Sequence, residues 1–136
     1  MRRLILVGAL LLSTTIFGAD TLLNETPYEI AKSDIGKGKA VMLEVGSDKC
    51  GSCQDMGKML YRVKKSTPDA IIFFINVWQE HKAIKILGIQ MIPTQIIYDA
   101  KGKEAYRHIG PLTEAELDNG CLPTFRVFFP SVLRLA

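Results

Sequence analysis

Residues 41–53 read VMLEVGSDKCGSC. With Ala40, the residues up to Val45 form a compact apolar run containing β-branched side chains, bounded by Gly38 and Gly46. That pattern predicts a buried strand. Gly46-Ser47-Asp48-Lys49 reads as a loop, and Cys50-Gly51-Ser52-Cys53 opens the element that follows. Two cysteines at this spacing permit three chemistries: half of a zinc site, a closed structural disulfide, or a redox pair.

Ligand arithmetic weighs against the first. A zinc site needs four ligands, and the remaining candidates are Cys121, His81 and His108, with no second C-x-x-C. No metal and no other cofactor is expected. A structural disulfide across two residues closes almost no loop and would contribute little by chain entropy. The redox reading uses the position itself. A thiolate is the attacking species in disulfide exchange, and Cys50 sits where a helix begins. Unpaired backbone N–H groups and the positive end of the helix dipole favour an anion there. Lys49 adds a cation whose side chain could reach the sulfur. Cys53, one turn later, can approach Cys50 and is expected to be the more buried. Gly51 is expected to relieve crowding at the turn, and Ser52 to place a hydroxyl near the pair.

Outward from this junction, CQDMGKMLYRVKKS (53–66) puts Met56, Met59, Leu60 and Val63 on one helical face. Thr67-Pro68-Asp69 ends that helix. AIIFFIN (70–76) predicts a second buried strand, and QEHKAIKIL (79–87) a short helix closed by Gly88. TQIIYDAKGKEAYRHIG (94–110) reads as two strands joined at Ala100-Lys101-Gly102. A short helix at about 27–34 precedes them all. The order implies an α/β fold, a central mixed sheet flanked by helices.

The tail is atypical. Thr113 and Glu116 fit a capping box for a closing helix, but Gly120, Pro123 and Pro130 weigh against a long continuous one, and 121–136 are irregular and apolar. The expected organisation is 1–19 a signal peptide, 20–112 the folded domain, and 113–136 a helix start with an apolar tail.

The N-terminus, MRRLILVGALLLSTTIFGAD, has the basic, apolar and small-residue order of a secretory signal. The uncharged run Leu4–Ala19 is short for a membrane span, so cleavage after Gly18 or Ala19 is expected, with an uncleaved anchor as the other reading. Either implies a periplasmic or secreted domain, where disulfides persist. The chain has 17 basic and 14 acidic residues, and without Arg2 and Arg3 the body is nearly neutral. No nucleic-acid surface is expected. Cys121 leaves the cysteine count odd and is expected to pack as a buried apolar residue.

Two further features bear on the redox reading. Glu44 lies inside the apolar strand, where a buried carboxyl would have a raised pKa and could take and return a proton. An alternating strand position facing solvent is the other reading. In Ile92-Pro93-Thr94 a proline opens a strand.

With VMLEVGSDKCGSC followed by LGIQMIPTQIIYDAKGKEAYRHIG, the stretch from about Val41 to Gly110 resembles thioredoxin. The resemblance implies the thioredoxin fold, with Cys50 as nucleophile, Cys53 as resolving thiol and Glu44 in the place of the family's buried acid. It makes Pro93 the cis-proline beside the site. Ile92, Pro93 and Thr94 would then bind substrate, with the Ile92 backbone pairing to an extended segment and Gly110 keeping the groove open. Departures fall at Lys49 and Gly46, where the family carries aromatics, and at Ser52, where proline is usual.

The expected function is an exported thiol–disulfide oxidoreductase that reduces disulfides of periplasmic clients and is re-reduced by a membrane electron donor. Disulfide-containing or dithiol client proteins are the expected partners. A disulfide oxidase or isomerase, or a non-catalytic binding module on the same fold, are the alternatives.

Overall fold

The computed structural model describes residues 21–119. The predicted signal segment, Cys121 and the apolar tail lie outside them. The elements are α1 (Tyr28–Asp34), β1 (Val41–Gly46), α2 (Gly51–Ser66), β2 (Ile71–Asn76), α3 (His81–Ile86), β3 (Thr94–Tyr98), β4 (Glu104–Ile109) and α4 (Glu114–Asn119). The strands form one sheet in the order β2-β1-β3-β4. β1 runs parallel to β2 and antiparallel to β3, and β3 is antiparallel to β4. This is the mixed sheet flanked by helices that the sequence predicts, and the α/β architecture is that of thioredoxin.

Side-chain alternation divides the core into two layers. Val41, Leu43 and Val45 of β1 join Ile75, Ile96, Tyr28, Ala31, Ala83 and Leu87 beneath α1 and α3. Met42 turns the other way, onto Ile72, Phe74, Ile97, Met56, Met59 and Leu60 beneath α2. Every residue of β1 is buried, because both faces of this central strand are covered. Glu44 and Gly46 share the parity of Met42 and therefore lie on the α2 side.

Helix α2 buries Cys53, Met56, Gly57, Met59 and Leu60, the 3.6-residue stripe the sequence shows, with Val63 only partly buried. Its last turn carries Lys64 and Lys65, which suit the negative end of the helix dipole. At α4 the Thr113 N–H donates to Glu116 Oε2 at 2.9 Å, and the Glu116 N–H donates to Thr113 Oγ1 at 3.1 Å. That is the reciprocal capping box. Arg62 of α2 pairs with Glu114, tying the closing helix to the one that bears the cysteines.

Candidate active site

The site is built where β1 ends and α2 begins. Cys50 is the N-cap of α2 with extended backbone, φ −101° and ψ 119°. Its Sγ accepts from the Cys53 N–H at 3.4 Å and lies 3.3 Å from Ser52 Oγ. A sulfur here takes the place of the usual capping oxygen, against donors that a helix start leaves unpaired. Desolvation works against ionisation of Cys50. It is outweighed by hydrogen bonds from the Cys53 thiol, the Ser52 hydroxyl and both backbone N–H groups, which hold the thiol below its ordinary value.

Cys53 has the opposite environment. It is 2% exposed, against the partly exposed Cys50. Desolvation, then its hydrogen bond to Cys50, push its thiol up to about 12, and the Cys50 and Glu44 charges add to the rise. Both cysteines are free thiols. One accessible sulfur favours the thiolate and its buried neighbour the protonated thiol, the division a nucleophile and a resolving thiol need.

Gly46 makes room for that neighbour. A Cβ there would stand 3.0 Å from Cys53 Cβ, 3.1 Å from its Sγ and 3.3 Å from Phe74 Cε2. The sequence marks Gly46 as a strand boundary and a missing aromatic; the structure shows that a side chain there would crowd the Cys53 sulfur.

Glu44 is fully buried. Desolvation raises its carboxyl to about 8, moderated by a hydrogen bond from Gln95, with the Cys50 charge adding to the rise. The solvent-facing reading of Glu44 fails because neither face of β1 meets solvent. Gln95, which sequence reasoning passed over, is the residue opposite it across the β1–β3 ladder. The one signal was an amide side chain directly before the apolar pair Ile96-Ile97 in a strand that the sequence predicts.

Two expectations need correction. The Lys49 ammonium lies 5.9 Å from the Trp78 ring centroid, and it is not among the groups that shift the Cys50 thiol. A long, exposed side chain finds the face of an indole, so hydrogen bonds and the helix start do the work assigned to this cation. Gly51 does not relieve crowding either. A Cβ there would meet nothing within 4 Å, and the backbone is helical rather than left-handed.

Pro93 is buried and follows a cis Ile92–Pro93 bond. Thr94 Oγ1 donates to the Met91 carbonyl at 2.6 Å, and the Gly110 N–H donates to the Pro93 carbonyl at 2.8 Å. Gly110 has φ +106° with open space around its would-be Cβ. Its backbone conformation, which other residues rarely adopt, is what requires glycine. Met91 and Ile109, flanking this segment in sequence and register, are exposed, as is Trp78. Asn76 joins the loops: its Nδ2 donates to Glu25 Oε1 and Asp48 Oδ1, and its Oδ1 accepts from the Trp78 N–H. Among the described residues no cluster of three or more His, Cys, Asp or Glu side chains could hold a metal ion, and no helix is long and apolar enough to cross a membrane.

A family model described as a thioredoxin-like domain matches residues 29–119. The thiol:disulfide interchange protein DsbD of Escherichia coli O6:H1 is 31% identical over 75 residues, covering 50% of this chain and 13% of that protein. The chain thus spans about an eighth of the length of that relative. Among solved structures, a point mutant of thioredoxin from Halobacterium salinarum superposes with TM-score 0.63 at 18% identity, covering 79% of this chain and 89% of that one. Fasciola hepatica thioredoxin gives 0.60 at 20%, covering 74% and 89%. At these identities the structural likeness speaks for the fold alone.

Proposed function

The chain belongs to the thioredoxin-like domain family, and from that premise we propose that it is an exported thiol–disulfide oxidoreductase that reduces disulfides of periplasmic client proteins through Cys50 and Cys53. The observation that carries this reading is the split between the two sulfurs. Cys50 caps a helix with its thiol pulled down, and Cys53 is buried behind it with its thiol pushed up to about 12.

Cys50 thiolate attacks one sulfur of a client disulfide. The client's other sulfur leaves as a thiolate, and Cys50 is joined to the client in a mixed disulfide. Cys53 gives its proton to ionised Glu44, attacks the Cys50 sulfur and expels the second client thiolate. Two electrons have passed to the client, and the Cys50–Cys53 disulfide remains. A membrane-bound dithiol donor returns the electrons, since the periplasm holds no thiol buffer. The client lies as an extended segment along Ile92, Pro93 and Thr94, its backbone hydrogen-bonding beside the cis-proline, with Gly110 keeping the groove open. Ser52 acts on the potential through its contact with Cys50, and Lys49, on the Trp78 face, acts on which clients dock.

The export half of the proposal rests on the basic, apolar and small-residue order of residues 1–19 and on the likeness to a thiol:disulfide interchange protein. The test is insulin reduction with dithiothreitol as donor, run on wild type and Cys50→Ser. Wild type should accelerate precipitation and the variant should not; equal rates at background would favour a non-catalytic binding module.

A further inference from the structure

Glu44 and Gln95 face each other across the antiparallel β1–β3 pair, and both are 0% exposed. Gln95 Nε2 donates to Glu44 Oε2 at 2.9 Å. The other oxygen of each group, Glu44 Oε1 and Gln95 Oε1, has no hydrogen-bond partner. An unmet buried acceptor is costly, so two in one contacting pair call for a physical cause. A neutral carboxyl and a primary amide have complementary edges, each with one donor and one acceptor. One proton on Glu44 Oε1, donated to the Gln95 carbonyl, satisfies both orphaned atoms together.

We propose that Gln95 is the positioning residue for the proton that Glu44 carries, holding Oε2 through its N–H in both protonation states and accepting from Oε1 when the proton is present. The surroundings favour this division. On β2 the residue opposite Glu44 is Phe74, which offers no charge. From the start of α2 the ionisable group acting on Glu44 is the Cys50 thiol, and Glu44 in turn raises the Cys53 thiol. Among the described residues no cation pairs with Glu44, so the amide is its polar anchor. The raised carboxyl, about 8, agrees with a group that is mostly neutral at pH 7.

The inference rests on the reductase reading above for its place in the cycle. During resolution the Cys53 S–H proton passes to Glu44 Oε1 as the sulfur attacks Cys50 and the client thiolate leaves. On re-reduction the proton returns to the Cys53 sulfur as that sulfur leaves the disulfide. Gln95 touches neither sulfur in this scheme. It fixes which carboxyl oxygen moves the proton.

Infrared difference spectroscopy of the reduced full chain, acidic minus alkaline, tests the pairing without reference to activity. Wild type should show a hydrogen-bonded carboxylic acid band that vanishes in Glu44→Gln, together with a shift of the Gln95 side-chain amide band as Glu44 ionises. In Gln95→Leu the acid band should move to the higher frequency of an unbonded acid, and Gln95→Met gives the same readout if the leucine variant does not fold. An acid band at the same frequency in a Gln95 variant, or a wild-type amide band that ignores Glu44 ionisation, overturns the proposal.

Kinetics then separate the two readings. Losing the anchor to the ionised carboxylate should displace the pH dependence of mixed-disulfide resolution upward. Each unit of displacement slows the step about tenfold at pH 7, with recovery at higher pH. Gln95→Leu should add no further slowing in a Glu44→Gln background. If Glu44→Gln itself leaves resolution unchanged, the assigned role of Glu44 in the cycle fails, while the infrared result still decides the pairing. Equal slowing by Gln95→Leu in both backgrounds overturns the positioning role.

Discussion

Replacing Glu44 by glutamine should make the reduced protein more stable at neutral pH, although it removes a residue assigned to the chemistry. The carboxyl is fully buried, and its value rises from 4.5 to about 8, first by desolvation, then against the moderating Gln95 bond, with the Cys50 charge adding to the rise. A folded-state value above the unfolded one means that the native state holds the proton more tightly. The contribution is therefore fully present below about pH 4.5 and is lost as pH rises towards 8, where the native carboxyl ionises too. Across that window the slope approaches about 1.4 kcal/mol per pH unit, so wild type should lose on the order of 2–3 kcal/mol between pH 5 and 7 through this one group.

Glutamine mimics the neutral acid, keeps an acceptor for Gln95 Nε2 and has no charge to desolvate. The difference between Glu44→Gln and wild type should therefore widen with pH. Glu104 and Glu116 do not confuse the window. Arg107 lowers the first, chiefly by a side-chain hydrogen bond, and the Thr113 backbone N–H, then its hydroxyl, lowers the second. Their contributions have the opposite sign and are complete above about pH 4.5. Urea unfolding of both proteins in reductant, at half-unit steps from pH 5 to 7.5, reads the effect as a change in midpoint at constant slope. A stability difference that stays flat, or moves in favour of wild type as pH rises, would mean that burial does not raise the Glu44 carboxyl.

Gly46→Ala and Gly51→Ala should act in opposite directions. The first forces a Cβ to 3.0 Å from Cys53 Cβ and 3.1 Å from its Sγ, an overpacking of about 1–3 kcal/mol, and should slow mixed-disulfide resolution because the crowded atom is the resolving sulfur. The second meets open space in helical backbone and should gain about 0.4–1 kcal/mol; thermal melts of the pair giving equal shifts would contradict the packing described. Alkylation of the reduced protein near neutral pH should label Cys50, whose thiol is lowered, and spare Cys53, raised to about 12 and 2% exposed. Peptide mapping that found Cys53 labelled first would reverse the assignment of attacker and resolver.

How far these residues could be read in advance depended on whether local rules governed them. The strand run, the loop and a cysteine at a helix start are all local, so the elements of a mixed sheet flanked by helices and the placement of Cys50 follow from the sequence, as does the Thr113–Glu116 cap. Glu44 was ambiguous for a tertiary reason. Alternation predicts one solvent face only when one face is bare, and here helices cover both. Lys49 was misjudged because four rotatable bonds leave its ammonium to choose between a thiol and an indole that the sequence does not place. Gly51 and Gly46 exchanged roles: the glycine between the cysteines has room around it, and the crowded one lies four residues before the nucleophile. Gln95 became visible only when the antiparallel register set it opposite Glu44.

An equilibrium redox titration of the Cys50–Cys53 pair in the full chain, followed by thiol labelling, tests the proposed redox centre most directly. The expected result is one reversible two-electron transition, lost in Cys50→Ser and in Cys53→Ser, with a midpoint nearer the value of thioredoxin, about −270 mV, than that of a strong periplasmic oxidant, about −120 mV. A pair that stays oxidised or stays reduced across the whole range would contradict a redox centre. A reversible midpoint close to −120 mV would keep the centre and reverse the direction of electron flow.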